Sequence, residues 1–291
     1  MAGAVRRRGR MPPWRDRQGR FSSLKASVLI GCIAPGAVVA FWFATGRLGA
    51  ARPIHEALLW IGLWTVRFIF LALAITPAAV VLDWPKILLV RRMVGVTAAV
   101  YAVSHLTLDV ALENFRVLHV ASEIALRFYL TIGFAALLGL VALAATSTDA
   151  AMRRMGRNWK RLHRLVYVIG VLALLHFFIQ SKADVSEPVL FAGLFAWLML
   201  WRVLPTGWRR SLWVYVPLAL ASTAAAIGFE FAWYDLATHI NATRVLLANE
   251  TLRFGLRPAH WVLIVTLGIG VVAALRRFVG RMGRRAVLKP A

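Results

Sequence analysis

Acid and cysteine are scarce in this chain. Of 291 residues only 12 are Asp or Glu, against 35 Lys or Arg, and charged residues of both signs together reach 16%. Soluble domains carry about 25%. Cys32 is the single cysteine, which excludes an intramolecular disulfide, a Cys-ligated zinc and an iron–sulfur cluster. No Gly-x-Gly-x-x-Gly follows a strand pattern and there is no P-loop. No polar stretch of roughly 100 residues could form a separate soluble domain. The chain therefore offers no ordinary seat for a nucleotide cofactor and no housing for a molybdenum cofactor.

What it has is apolar surface. Hydrophobic residues make up 60% and mean hydropathy is +0.69. A net charge of +23 suits nucleic acid, but such hydropathy is incompatible with a soluble binder. The reading left is an all-α polytopic membrane bundle whose basic residues set its orientation. A helical span needs about 20 mostly apolar residues. Eight stretches qualify: 24–44, 58–81, 93–111, 128–146, 164–180, 188–203, 212–232 and 259–275. Pro35, Pro77 and Pro217 fall inside them, as membrane helices tolerate. No alternating ten-residue pattern argues for a barrel.

The loops on one side hold 26 Lys and Arg and those on the other hold 8, with Arg67 inside the second span. That asymmetry predicts both termini in the cytoplasm. The arm 1–23 (Arg6, Arg7, Arg8, Arg10, Arg15, Arg17, Arg20) reads as a topology signal, with a grip on anionic lipid as the alternative. A cleaved signal peptide is disfavoured, because the first apolar run is close to full span length.

Ionisable groups inside spans are costly and therefore informative. His55, His119 and His239 fall in loops opposite the basic side, and His260 beside Trp261 reads as an interfacial anchor. His105 lies 14 residues past Arg91 and His176 lies 13 past His163, or about 21 and 20 Å of helix. The third and fifth spans run in the same direction. His105 and His176 therefore share one depth, and His163 and Arg91 share another. Two imidazoles from different helices at one depth suit bis-histidine ligation of a haem iron. Isolated polar residues bonded across helices would look the same in sequence. A metal or proton transporter using these histidines with Asp109 is a further alternative. Thirteen residues turn a helix by about 220° net, so His163 and His176 do not share a face.

Several stretches carry a family likeness. They are Leu73-Ala74-Ile75-Thr76-Pro77; Arg91-Arg92-Met93-Val94-Gly95 with Tyr101 and His105-Leu106-Thr107; and Ala145-Thr146-Ser147. The most specific run is Gly156-x-x-Trp159-Lys160-Arg161-Leu162-His163-Arg164-Leu165-Val166-Tyr167, ending in His176-Phe177. In order and spacing they resemble the haem-binding membrane subunit of the bacterial protein-methionine-sulfoxide reductase system (MsrQ/YedZ type), within the ferric-reductase-like superfamily. The resemblance covers roughly residues 24–205. It leaves aside the arm and a two-span extension, 206–291.

The resemblance implies a bacterial inner-membrane location and haem b, one or two per chain, with FMN as a further cofactor. It implies electron supply from the quinone pool or a cytoplasmic flavin reductase, and delivery to a periplasmic molybdopterin methionine sulfoxide reductase. The family's haem histidines map onto His105, His163 and His176. Where related reductases carry a fourth histidine this chain has Arg91, whose guanidinium has no lone pair for iron. Arg91 is then a propionate partner or an unusual ligand. Arg67 matches a basic family position and reads as a propionate or quinone-headgroup partner, with an interhelical salt bridge or a water-filled cavity as the alternative. His119, with Asp109, Glu113, Asn114 and Arg116 between it and His105, is expected outside the hydrocarbon. A related ferric reductase component with another partner is the nearest rival reading.

The topology has a direct test. A reporter fused after Ala291 should be active only in its cytoplasmic form, and activity confined to the periplasm would defeat the assignment.

Overall fold

A computed structural model describes residues 12–15, 18–49, 51–182, 184–253 and 255–287. Arg6, Arg7, Arg8, Arg10 and Arg17 of the basic arm lie outside the described residues. Among the described residues there is no strand, only an isolated bridge between Arg15 and Phe21. The helices are α1 (Ser23–Ala44), α2 (Pro53–Val81), α3 (Arg91–Leu112), α4 (Val117–Leu126), α5 (Phe128–Ala145), α6 (Asp149–Met155), α7 (Arg157–His163), α8 (Leu165–Ser181), α9 (Ser186–Val203), α10 (Tyr215–Ala237), α11 (Ala242–Ala248) and α12 (Pro258–Val287). Eight spans are long and apolar enough to cross a membrane. They coincide with the eight expected stretches, although α2 begins at Pro53 and so takes in His55. Residues 112–127, expected as a loop, include the short amphipathic helix α4.

Local chemistry sets the boundaries. Ser22, Thr148 and Asn241 cap α1, α6 and α11, each side-chain oxygen accepting a backbone N–H three residues on. Pro53 opens α2, where its missing N–H costs nothing. Asn114 and Phe115, at φ of 54° and 58°, break the chain between α3 and α4. His260 Nδ1 accepts the Arg257 N–H at 3.1 Å, so this histidine caps the start of α12.

The proline inside α1 has a structural use. Gly36 N–H would ordinarily bond the Cys32 carbonyl. Instead it donates to the Tyr101 hydroxyl at 2.7 Å, and Tyr101 donates onward to the Cys32 carbonyl at 2.9 Å. A side chain from α3 is thus spliced into the α1 ladder beside Pro35, a recognised way to open a helix. Gly36 permits it, since a Cβ there would lie 3.0 Å from the Tyr101 oxygen. Trp60 of α2 donates to the Pro35 carbonyl at 3.2 Å. These bonds tie α1 to α2 and α3.

Two groups of helices result. Helices α2, α3, α5 and α8 pack around a cavity, and α9, α10 and α12 pack against one another. Close approach in the second group rests on small residues, as is usual in membranes. A Cβ on Gly193 would sit 2.6 Å from Val262 and 2.9 Å from Ala226. The outer hairpin is locked by an ion pair. Glu230, 2% exposed, receives Arg257 Nη2 at 2.7 Å and Asn249 Nδ2 at 2.9 Å, while Arg257 Nε donates to Asn249 Oδ1 at 3.2 Å.

Removing one partner of a buried pair strands the other. Arg257→Ala should lower stability by about 3–5 kcal/mol, whereas Arg253→Ala should lie within about 0.5 kcal/mol of the parent. Unfolding in detergent measures both, and equal midpoints for the two would contradict the role of the network.

Candidate functional site

His105 and His176 meet across the bundle. Their ring centroids are 6.5 Å apart with the planes nearly perpendicular, at 84°. Each ring is held in the same way. His105 Nδ1 lies 3.0 Å from the Leu58 carbonyl of α2, and His176 Nδ1 lies 2.9 Å from the Tyr129 carbonyl of α5. A carbonyl only accepts, so Nδ1 carries the proton in both. The neutral ring then keeps its lone pair on Nε2, the arrangement a histidine ligand needs.

Four residues after each carbonyl stands a glycine. A Cβ on Gly62 would fall 2.8 Å from His105 Cε1, and one on Gly133 would fall 2.8 Å from His176 Cε1 and Nδ1. The ring fills the space that a side chain would take. Carbonyl and glycine together form a cradle on α2 for His105 and a matching cradle on α5 for His176.

Both histidines line a cavity of about 690 Å³. Interiors hold few voids larger than a water molecule, and ligand sites run to about 300–1,000 Å³. The void exists because Gly62, Ala102, Gly133, Ala136 and Ala173 face it. Its mouth reaches Arg47, Leu48 and Asp184, at the end of the bundle away from the basic loops. Glu56, Asp109, Asp184 and Glu187 also line it. A third of the acidic residues of a strongly basic chain therefore line one cavity. Ser186, through its side chain and its N–H at 3.1 Å, holds the Asp184 carboxyl below the usual range.

The donor set suits haem. Two imidazoles from different helices, close enough that a single metal ion could be shared between them, are the ligand type that haem iron takes. The two rings stand 6.5 Å apart, centroid to centroid. Neutral imidazoles in an apolar cavity are also what a bis-histidine haem requires. Among the described residues no group of three or more His, Cys, Asp or Glu side chains is placed to hold a metal ion directly. A transport site built on His105 and Asp109 therefore has no such ligand set here.

The other expected site residues lie elsewhere. His163 ends α7 at the basic end of the bundle, stacked on Trp159 with centroids 3.8 Å apart. Its Nδ1 is 3.1 Å from the Trp159 carbonyl and its Nε2 is 3.4 Å from Ser147 Oγ. Arg91 and Arg92 act on it electrostatically, and Arg92 pairs with Asp149 at 2.7 Å. Arg67 donates to Glu187 at 3.3 Å, with its guanidinium 4.9 Å from the Trp64 ring. Arg67 thus makes an interhelical salt bridge, and it is its partner Glu187 that lines the cavity. His119, on α4, lies 3.6 Å from the Glu113 carboxylate and apart from the cavity lining.

Sequence reasoning passed over Gly62, Gly133 and the two carbonyls. The available signal was a glycine inside an otherwise bulky apolar run, visible only once the partner helix is known. Trp42 and Trp60, which line the cavity with rings 5.0 Å apart, were equally silent.

Known proteins share much of this sequence. Residues 58–174 match the family described as "Ferric reductase like transmembrane component", a stretch that holds His105 and His163 and stops two residues before His176. The "Protein-methionine-sulfoxide reductase heme-binding subunit MsrQ" of Xanthomonas campestris pv. campestris (strain 8004) is 42% identical over 194 residues. The match covers 64% of this chain and 86% of that protein. The protein of the same description from Rhodospirillum rubrum (strain ATCC 11170) is 40% identical over 198 residues, covering 67% and 92%. That from Xanthomonas oryzae pv. oryzae (strain MAFF 311018) is 41% identical over 194 residues, covering 64% and 86%. No solved structure matches.

The cradles predict a contrast among glycines. Gly62→Ala and Gly133→Ala should each cost about 1–3 kcal/mol through overpacking against a histidine ring. Gly95→Ala, with open space around it, should be neutral or slightly stabilising. Unfolding midpoints in detergent decide it, and three indistinguishable variants would refute the cradle.

Proposed function

The chain belongs to the family of MsrQ heme-binding subunits of protein-methionine-sulfoxide reductases, and from that premise we propose that it is a haem b electron relay across the bacterial inner membrane. It takes electrons from the quinone pool or a cytoplasmic flavin reductase. It passes them to a periplasmic molybdopterin enzyme that reduces methionine sulfoxide in oxidised proteins. The observation that carries this reading is the facing pair His105 and His176 in one cavity, each with Nδ1 committed to a carbonyl.

Haem, when bound, supplies a one-electron couple at its iron. The protein supplies ligation, depth and dielectric. His105 and His176, both in the cavity wall, would hold the iron through Nε2, and the carbonyls of Leu58 and Tyr129 raise the basicity of both rings. The apolar wall excludes water. The mouth opens toward the side that the charge asymmetry assigns to the periplasm, which puts the exit of electrons at that face. His163, with Arg91 beside it, lies at the cytoplasmic face, where electrons enter. A second, more labile haem or the proposed FMN would be served from there. Arg67 holds Glu187 and so shapes the cavity wall from outside it. We assign residues 24–205 to the haem-binding core, 1–23 to a basic cytoplasmic arm and 206–291 to a further two-span unit with a basic tail.

A related metal reductase component with a different acceptor is the second reading, and the stretch of about a third of the chain left unmatched by its relatives favours it. Reoxidation separates the two. Reduced protein should be oxidised by a periplasmic sulfoxide reductase and slowly, if at all, by ferric chelates.

Single variants test the ligand assignment. His105→Ala and His176→Ala should each empty the outer site or turn it high-spin. His163→Ala should spare the outer spectrum and block entry of electrons, and Arg91→Ala should weaken only the inner site. His119→Ala should change nothing. Haem content and low-temperature spectra report all five, and loss of haem in His119→Ala but not in His105→Ala would overturn the assignment.

A further inference from the structure

The corner between α8 and α9 is strained, and the grip on it comes from outside the haem-binding core. Lys182 closes α8 at φ 53° and ψ −104°, a conformation that side-chain-bearing residues rarely adopt. Such backbone persists only where its surroundings over-determine it. Here two consecutive residues of α10 do so. Trp233 donates its indole N–H to the Lys182 carbonyl at 3.2 Å, and its ring packs on Phe178 with centroids 5.3 Å apart. Tyr234 stands against the backbone N–H of Val185, a residue with no exposed surface.

The corner leads straight to the cavity. Phe178 stands two residues after His176 on α8. Asp184 and Glu187 follow the strained residue and both line the mouth, and Glu187 continues to Arg67 on α2. Helix α10 is itself held rigidly at this end. Glu230, one turn before Trp233 and Tyr234, is fixed by Arg257 and Asn249 from the hairpin beyond. A continuous line of contacts therefore runs from that hairpin through α10 and the corner to the rim of the histidine cavity.

We propose that the C-terminal two-span unit is a clamp on the rim of this cavity: Trp233 holds Lys182, Tyr234 stands against Val185, and together they position Asp184 and Glu187 in the cavity wall. Trp233 is a positioning residue. It touches neither histidine, and it sets how far the site opens to water and how the carboxylates stand over it. The haem consequence rests on the ligation by His105 and His176 proposed above. The clamp itself does not.

The test uses the full-length chain in a Cys32→Ser background with Asp184→Cys as a reporter at the mouth. Labelling by a water-soluble maleimide is followed in haem-free protein, and the haem midpoint potential is measured in the loaded protein with Asp184 intact. Trp233→Ala removes both the ring contact and the hydrogen bond, and should raise the labelling rate about tenfold. Trp233→Phe keeps the ring and should raise it by a smaller factor, providing a folded variant if the alanine form fails. Both should shift the midpoint potential, which a defect confined to the extension would not do. Labelling and potential at parental values in a folded Trp233→Phe or Trp233→Ala protein would overturn the clamp. Altered labelling in a chain that never takes up haem would leave the clamp standing and sink the haem reading. Unaltered labelling in a haem-loaded chain would do the reverse.

Discussion

Two hydrogen bonds that point away from the cavity determine what the cavity can do. A histidine buried among apolar helices has two nitrogens to satisfy, and an unmet polar group is costly there. In His105 and His176 the Nδ1–H is spent on a helix carbonyl, at Leu58 and Tyr129. What remains on each ring is an Nε2 lone pair beside the void. Without those bonds either tautomer would serve, the ring would turn, and the spacing of 6.5 Å would have no reason to persist. The rest of the bundle follows from this requirement. Gly62 and Gly133 exist at the contacts because the rings must come close enough to reach the carbonyls. Small residues line the void because the space between the rings has to stay open.

The same bundle separates two electrical environments. One end carries Arg91, Arg92 and the basic loops around His163, with Asp149 paired to Arg92. The cavity toward the other end is lined by four carboxylates and Arg47. A chain with so few acids places them where the outward path from the histidines reaches the surface. Charge thus works at two scales: loop by loop it orients the helices, and at the mouth it gives one opening a sign opposite to the rest of the molecule.

Much of this was legible in the amino-acid sequence, and for physical reasons. Spans are long and repetitive in composition, so eight of them stand out. Depth along a helix is a simple multiple of residue number, so the common level of His105 and His176 could be read before any fold was known. Rotation about the helix axis is different, because it depends on the partner. Arg67 has the sequence signature of a ligand-facing cation, yet the carboxylate that meets it is Glu187, 120 residues away. Tyr101 is conspicuous in the family pattern, but its insertion between Gly36 and Cys32 depends on Pro35 of another helix. The glycine cradles and the Trp233 contact to Lys182 are likewise meetings of distant segments. Helix α4 was missed because ten residues are too few to announce a helix by composition.

The account stands or falls on whether one iron sits between two particular nitrogens. Pulsed electron paramagnetic resonance on oxidised, haem-loaded, full-length protein carrying histidine labelled with nitrogen-15 at Nε2 measures that directly. We expect a low-spin ferric signal with strong couplings to two Nε2 nitrogens, both belonging to the outer haem. A high-spin signal, or coupling to a single labelled nitrogen, would contradict it.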